Sequence, residues 1–130
     1  MNVPVGIVLV SHSAELAAGL RLLMRQIGSD SVPVATAAGS GDGGIGTSYD
    51  LVLSAVEDAD RGRGVLVLPD LGSSVLTARA VLADHPRRDV VIADAPFVEG
   101  AVAAVVTAAS GADLRTVADS AEGARHVRKL

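Results

Sequence analysis

The residues best suited to chemistry are His12, fenced by Ser11 and Ser13 at the end of the apolar run VGIVLV, and Asp70, at the end of a second run, GVLVLP. A carboxylate behind an imidazole fixes the tautomer: the Nδ1 hydrogen faces the acid and the Nε2 lone pair points away. Such an imidazole is a nucleophile and equally a general base, so the pair alone leaves the reaction class open. Ser11 and Ser13 flank the histidine too closely to be activated through it as a triad serine, and no G-x-S-x-G elbow is present. His12 itself is the better candidate nucleophile. Each residue also has a plainer role open to it, His12 in a loop and Asp70 as the cap of the helix that follows.

The surroundings suit a phosphoryl group. Ser13 begins one helical pattern, GSS at 72–74 opens another directly after Asp70, and GIGTS at 44–48 opens a third. Helix N-termini present free N–H groups and a favourable dipole to an anion. Few lysines or arginines fall near this rim, which fits a phosphate that must leave again. Glu15 complements its helix dipole. His85, ahead of the fourth strand, and His126, in the charged tail, belong elsewhere and read as structural or solvated.

Holding these groups in place requires a sheet whose strands end together. Residues 5–10, 64–69 and 89–94 are Val- and Ile-rich runs that read as strands buried on both faces. Residues 31–38 form a weaker strand, and Pro33, which removes a ladder donor, places it at an edge. Leu16, Leu20, Leu23 and Ile27 recur at helical spacing on one face, and Gly28 stops that helix. Further helices are predicted over about 48–59, around Val75, Ala78, Val81 and Leu82, over 98–109, and from Asp113. The tail RHVRKL is expected to fray or to dock on a partner.

Strand alternating with helix predicts a doubly wound α/β fold: a mainly parallel sheet of about four strands, order 2-1-3-4, with helices on both faces. Ligands of such sheets bind beyond the carboxyl ends of the strands, at the switch point where the order reverses. In this order the first and third strands are neighbours, so His12 and Asp70 should come within reach of one another.

At 130 residues the chain reads as one domain, 1–130, and with 49% apolar residues it can bury a core. One Tyr, one Phe and no Trp make that core aliphatic. A net charge of −4 with so few aromatics argues against nucleic acid as a partner. The absence of cysteine removes disulfides and thiolate metal sites, and three scattered histidines offer no metal cluster. No apolar run reaches about 18 residues and the start lacks signal-peptide features, so no membrane association and a cytoplasmic location are expected.

The glycine-rich loop invites a nucleotide reading. Gly39, Gly41 and Gly44 spell G-x-G-x-x-G, but after the weak second strand and without the acidic residue expected at a ribose. Residues 41–48 also spell a P-loop in which Thr47 stands where lysine is required. A mobile rim loop is the plainer alternative.

Four stretches, IVLVSHSAELAAGL, GGIGTS, VLVLPDLGSS and DAPFVEGAVAAVVTAASGADL, follow one another from residue 5 to about 118. Together they resemble the phosphocarrier (DhaM) family of phosphoenolpyruvate-dependent dihydroxyacetone kinases, whose domain is similar to the mannose-type enzyme IIA. The resemblance implies that His12 is phosphorylated by the phosphocarrier HPr and oriented by Asp70. The phosphoryl group, derived from phosphoenolpyruvate, would pass to ADP on a nucleotide-binding subunit, and the regenerated ATP would phosphorylate dihydroxyacetone on a third. On this reading N–H groups around Ser13, Thr47 and Ser73 hold the phosphate, and Gly72 admits a close backbone approach. A homodimer is implied, with no metal and no cofactor bound by this subunit. Some relatives carry fused downstream phosphocarrier domains, so here HPr would be a separate protein. The alternatives are a mannose-type component of a sugar transporter, against which APFVEG and SGADL count, and a non-catalytic nucleotide-binding or regulatory module.

Overall fold

The computed structural model describes residues 3–40, 44 and 46–130. Strands and helices alternate as β1 (Gly6–Ser11), α1 (Ala14–Ile27), β2 (Val34–Ala38), α2 (Tyr49–Ala59), β3 (Val65–Pro69), α3 (Gly72–Asp84), β4 (Val90–Ile92) and α4 (Phe97–Ala109). A further helix, α5 (Leu114–Gly123), and a 3-10 turn at Ala124–His126 follow. All strands are parallel, in the order β2-β1-β3-β4, as the alternation predicts.

Side-chain alternation divides the core. Ile7 and Leu9 of β1 and Leu66 and Leu68 of β3 face α1, α4 and α5, where Leu20, Met24, Val105 and Val117 are buried among alanines. The intervening Val8, Val10, Val65 and Val67 face α2 and α3, against Val52, Val56 and Val81. Both central strands are thus buried on two faces, and the filling is aliphatic, as the composition requires.

Several local expectations change. β2 begins only after Pro33, whose carbonyl accepts a hydrogen bond from the Ile7 N–H at 2.8 Å, and it does lie at an edge. There the Arg21 Nε donates to the Val34 carbonyl at 2.8 Å and covers part of the open edge. β4 is shorter than residues 89–94 and only partly buried, because it is the other edge and pairs with β3 alone. In α1 the buried face is Ala17, Leu20 and Met24, while Leu16, Leu23 and Ile27 remain exposed. The tail makes two ion pairs with the body of the chain: Arg125 pairs with Asp94, and the Lys129 Nζ reaches the Glu99 carboxylate at 2.9 Å.

Gly28 follows α1 at φ −91°, so a left-handed cap is not its purpose. A Cβ there would stand 2.8 Å from Val105 Cγ1, and the close approach of α4 is what calls for glycine. Gly6 is under a harder constraint, since its Cβ would lie 2.0 Å from the Ala59 carbonyl oxygen at the end of α2. Backbone cannot swing aside as a side chain can. Gly6→Ala is therefore expected to destabilise by about 3 kcal/mol and to lower the melting temperature by roughly 10 °C, read by thermal denaturation. An unchanged melt would show that α2 is not seated against β1 as described.

Candidate functional site

Register places the site. Val10 of β1 pairs with Pro69 of β3, and the Asp70 N–H continues that ladder to the Val10 carbonyl at 2.9 Å. His12 and Asp70 thus leave adjacent strand ends side by side, on the rim from which α1 and α3 depart. The His12 Nδ1 lies 2.9 Å from Asp70 Oδ1.

Asp70 collects five donors. Oδ1 accepts from the Ser74 hydroxyl at 2.6 Å, the Leu71 N–H at 2.7 Å and the His12 ring; Oδ2 accepts from the His12 N–H and the Ser11 hydroxyl, each at 3.0 Å. Its side chain is only 7% exposed. Burial pushes the carboxyl pKa up, but the bonds from Ser74, from the His12 backbone and ring, and from Ser11 outweigh it and hold the pKa at about 2. Asp70 does not cap α3; Leu71 occupies that position.

An ionised carboxylate only accepts hydrogen bonds, so the hydrogen shared with it belongs to His12 Nδ1. In the neutral ring the Nε2 lone pair is then free, and it accepts a hydrogen bond from the Ser73 hydroxyl. Among the described residues no buried side-chain nitrogen or oxygen lacks a hydrogen-bond partner. The ring is thereby held in plane and tautomer, with its side chain 21% exposed.

The remaining candidates take different places. The Ser13 hydroxyl caps α1 by accepting from the Leu16 N–H at 3.2 Å, and the Ser13 N–H donates to the Ser11 hydroxyl at 3.1 Å. Both groups are thus engaged within the chain. Thr47 hydrogen-bonds Thr77 of α3 at 2.7 Å, and the Thr77 hydroxyl donates to the Ser73 carbonyl, so Thr47 steadies the turn that carries Ser73. Close by, the Gly46 N–H donates to the His12 carbonyl at 3.1 Å and ties the glycine loop to the site. A Cβ on Gly72 would meet nothing within 4 Å, so packing within the chain does not require glycine there. Gly41, part of both nucleotide-loop patterns, lies outside the described residues, as do Asp42, Gly43 and Ile45.

The three helix N-termini are not equivalent. Ser13 caps α1 and Ser48 caps α2, whereas α3 begins with no side-chain cap. The start of α3 lies next to Nε2, and uncapped helix starts leave N–H groups open to an anion. Sequence reasoning missed Ser11 and Ser74, the two fully buried serines that brace Asp70. Ser74 could have been found: in a helix beginning after Asp70, a hydroxyl four residues on comes back over the carboxylate. His85 ends α3 and His126 lies in the terminal 3-10 turn, both exposed and away from the pair.

Residues 6–118 match the family described as the PTS system fructose IIA component. The chain is 43% identical over 129 residues to the phosphoryl donor subunit DhaM of the PEP-dependent dihydroxyacetone kinase of Pantoea ananatis, covering 92% of the chain and 27% of that protein. It is 32% identical over 117 residues to the phosphotransferase subunit DhaM of the PTS-dependent dihydroxyacetone kinase of Lactococcus lactis, covering 90% and 93% respectively. It therefore spans about a quarter of the length of the first relative and nearly all of the second. The crystal structure of a protein of unknown function, EF1359, superimposes with a TM-score of 0.81 at 30% identity, covering 92% of this chain and 94% of that one. Matched across most of its length in sequence and in fold, with DhaM subunits among its relatives, the chain belongs to the PTS system fructose IIA component family.

Proposed function

We propose that this chain is a phosphohistidine carrier, loaded at His12 by phosphorylated HPr and discharged to ADP held by the nucleotide-binding subunit of a dihydroxyacetone kinase. The observation that carries the proposal is the His12–Asp70 pair, with a fixed Nδ1–H and an outward Nε2 lone pair beside the uncapped start of α3. The names of its relatives direct the phosphoryl group toward dihydroxyacetone.

In this reading Nε2 attacks phosphorus in line, an Nε2–P bond forms, and the bond to the donor's imidazole breaks with its electron pair leaving on the donor. The His12 ring gains positive charge, which the Asp70 carboxylate balances through Nδ1–H. Ser73 turns from Nε2 to a phosphoryl oxygen, and the Gly72 and Ser73 N–H groups at the start of α3 share the negative charge. The chemistry needs position and charge more than a bound metal or cofactor, and phosphoenolpyruvate is the ultimate phosphoryl source. Such a relay belongs in the cytoplasm, and among the described residues no helix is long and apolar enough to cross a membrane.

The test is intact-mass spectrometry at mildly alkaline pH after incubation with phosphoenolpyruvate, enzyme I and HPr. One acid-labile phosphoryl group is expected; none, with HPr fully labelled, would overturn the carrier reading.

A homodimer is part of the proposal, and α1 supports it. Leu16 and Ile27, 47% and 50% exposed, extend with Leu23 as an apolar stripe beside the buried face of the helix. Sedimentation should read the mass of two chains, and Leu23→Glu with Ile27→Glu should reduce it to one. A single-chain mass for the unaltered protein would refute the dimer.

A further inference from the structure

A cavity of about 710 Å³ opens between the start of α3 and the end of β4. Asp70, Gly72, Val75 and Arg79 line one side, Ile92 and Asp94 the other. Residues 72, 75 and 79 are spaced to share one face of α3. Ser73 belongs to the next face, where it meets His12 Nε2. The cavity and the nucleophilic nitrogen therefore flank the same first turn.

The charges around this cavity differ in one respect. Asp70 is surrounded by its donors, and Asp94 is paired with Arg125. The Arg79 side chain is exposed and forms no hydrogen bond or ion pair with any described residue. Helix side chains lean toward the N-terminus, so Arg79, about 10 Å along the axis from Gly72 and lining the same cavity, is placed for its guanidinium to reach back past Val75 toward the start of α3. The sequence suggested a rim poor in cations, and Arg79 is the exception at its border.

We infer that this cavity is the acceptor subsite, in which Arg79 holds a phosphate of the nucleoside diphosphate presented by the partner while its terminal phosphate receives the phosphoryl group from His12. The inference rests on the phosphocarrier reading. A donor phosphohistidine brings only the group that is transferred, and that group sits on Nε2. A diphosphate acceptor brings further negative charge, which must be set against a phosphoryl group already present. A planar guanidinium, binding phosphate through two parallel N–H donors, offsets that repulsion. A cavity of this size lies within the range of small-ligand sites. In the transfer an oxygen of the terminal phosphate bonds to phosphorus, the P–Nε2 bond breaks, and its electron pair returns to Nε2. No other reactant takes part, and Arg79 acts as a positioning residue.

The two half-reactions separate the possibilities. The full chain is loaded from phosphoenolpyruvate through enzyme I and HPr, then discharged to ADP in the presence of the nucleotide-binding subunit, with each step timed by intact mass. Arg79→Gln is expected to slow discharge at least tenfold more than loading and to raise the concentration of ADP-loaded subunit needed for half-maximal rate. Arg79→Lys should recover part of the loss, since it keeps the charge but not the fork. Equal slowing of both steps, slowing of neither, or no recovery with lysine would overturn the assignment. An unaltered chain that never loads would refute the carrier reading itself, and one that loads but does not discharge to ADP would refute the acceptor. Because Arg79 is exposed and unpartnered, the variants should melt with the unaltered protein.

Discussion

His12→Ala is expected to accept no phosphoryl group from HPr while keeping its fold. The two results are separable because the main chain at His12 does structural work that alanine preserves. The His12 N–H still donates to Asp70, and the carbonyl still accepts from Gly46. Asp70 loses one donor and keeps four, those of Ser11, Ser74, Leu71 and the His12 main chain. The ring belongs to neither apolar core cluster and its contacts are polar, so the destabilisation should be about 1 kcal/mol. Intact mass after the relay reaction reads the first result and thermal denaturation the second. A labelled His12→Ala would move the phosphorylation site elsewhere, and an unfolded one would show that the ring supports the fold more than its contacts suggest.

Asp70→Asn should act on both rate and stability. Both carboxylate oxygens accept hydrogen bonds, so whichever way the amide lies, its NH2 faces donors. If that NH2 donates to Nδ1, the ring hydrogen moves to Nε2 and blocks the attacking lone pair. The corresponding change behind a protease histidine costs up to ~10⁴-fold in rate. Here loading should slow about 10²-fold or more without vanishing, because the minor tautomer remains reactive.

The stability effect has a defined pH window. With its pKa lowered from 3.8 to about 2, Asp70 contributes stability that is fully present above pH 4 and is lost as pH falls through 2. The shift corresponds to about 2 kcal/mol. The gap between the unaltered protein and Asp70→Asn in urea unfolding should therefore be widest above pH 4 and narrow between pH 4 and 2. A gap that stays constant over that window, or a loading rate within twofold, would remove Asp70 from its assigned role.

Much of the candidate site is legible in the sequence because parallel strands have a polarity. Once 5–10 and 64–69 are strands in one parallel sheet, the polar residues after them must emerge at the same rim. The order 2-1-3-4 then makes β1 and β3 neighbours, which brings His12 to Asp70. Ser13 and Ser48 announce helix starts because capping is local: the hydroxyl and the N–H it satisfies are three residues apart.

What the sequence by itself determined is therefore whatever depends on period and on near neighbours: the element order, the aliphatic filling, the capped helix starts and the rim that carries His12 and Asp70. Tertiary structure alone decided the rest. Periodicity identified an apolar side of α1, but only the seating of α1 on the sheet and α4 buries Ala17 and Met24 and leaves Leu16, Leu23 and Ile27 outside. Likewise Ser13 offers an N–H to a ligand until the Ser11 hydroxyl takes it, and Ser74 is an ordinary helix residue until Asp70 lies beneath it. The reason is physical: a hydrogen bond or a buried face is a choice among competing partners. Those partners, distant along the chain, become neighbours only when the sheet has formed.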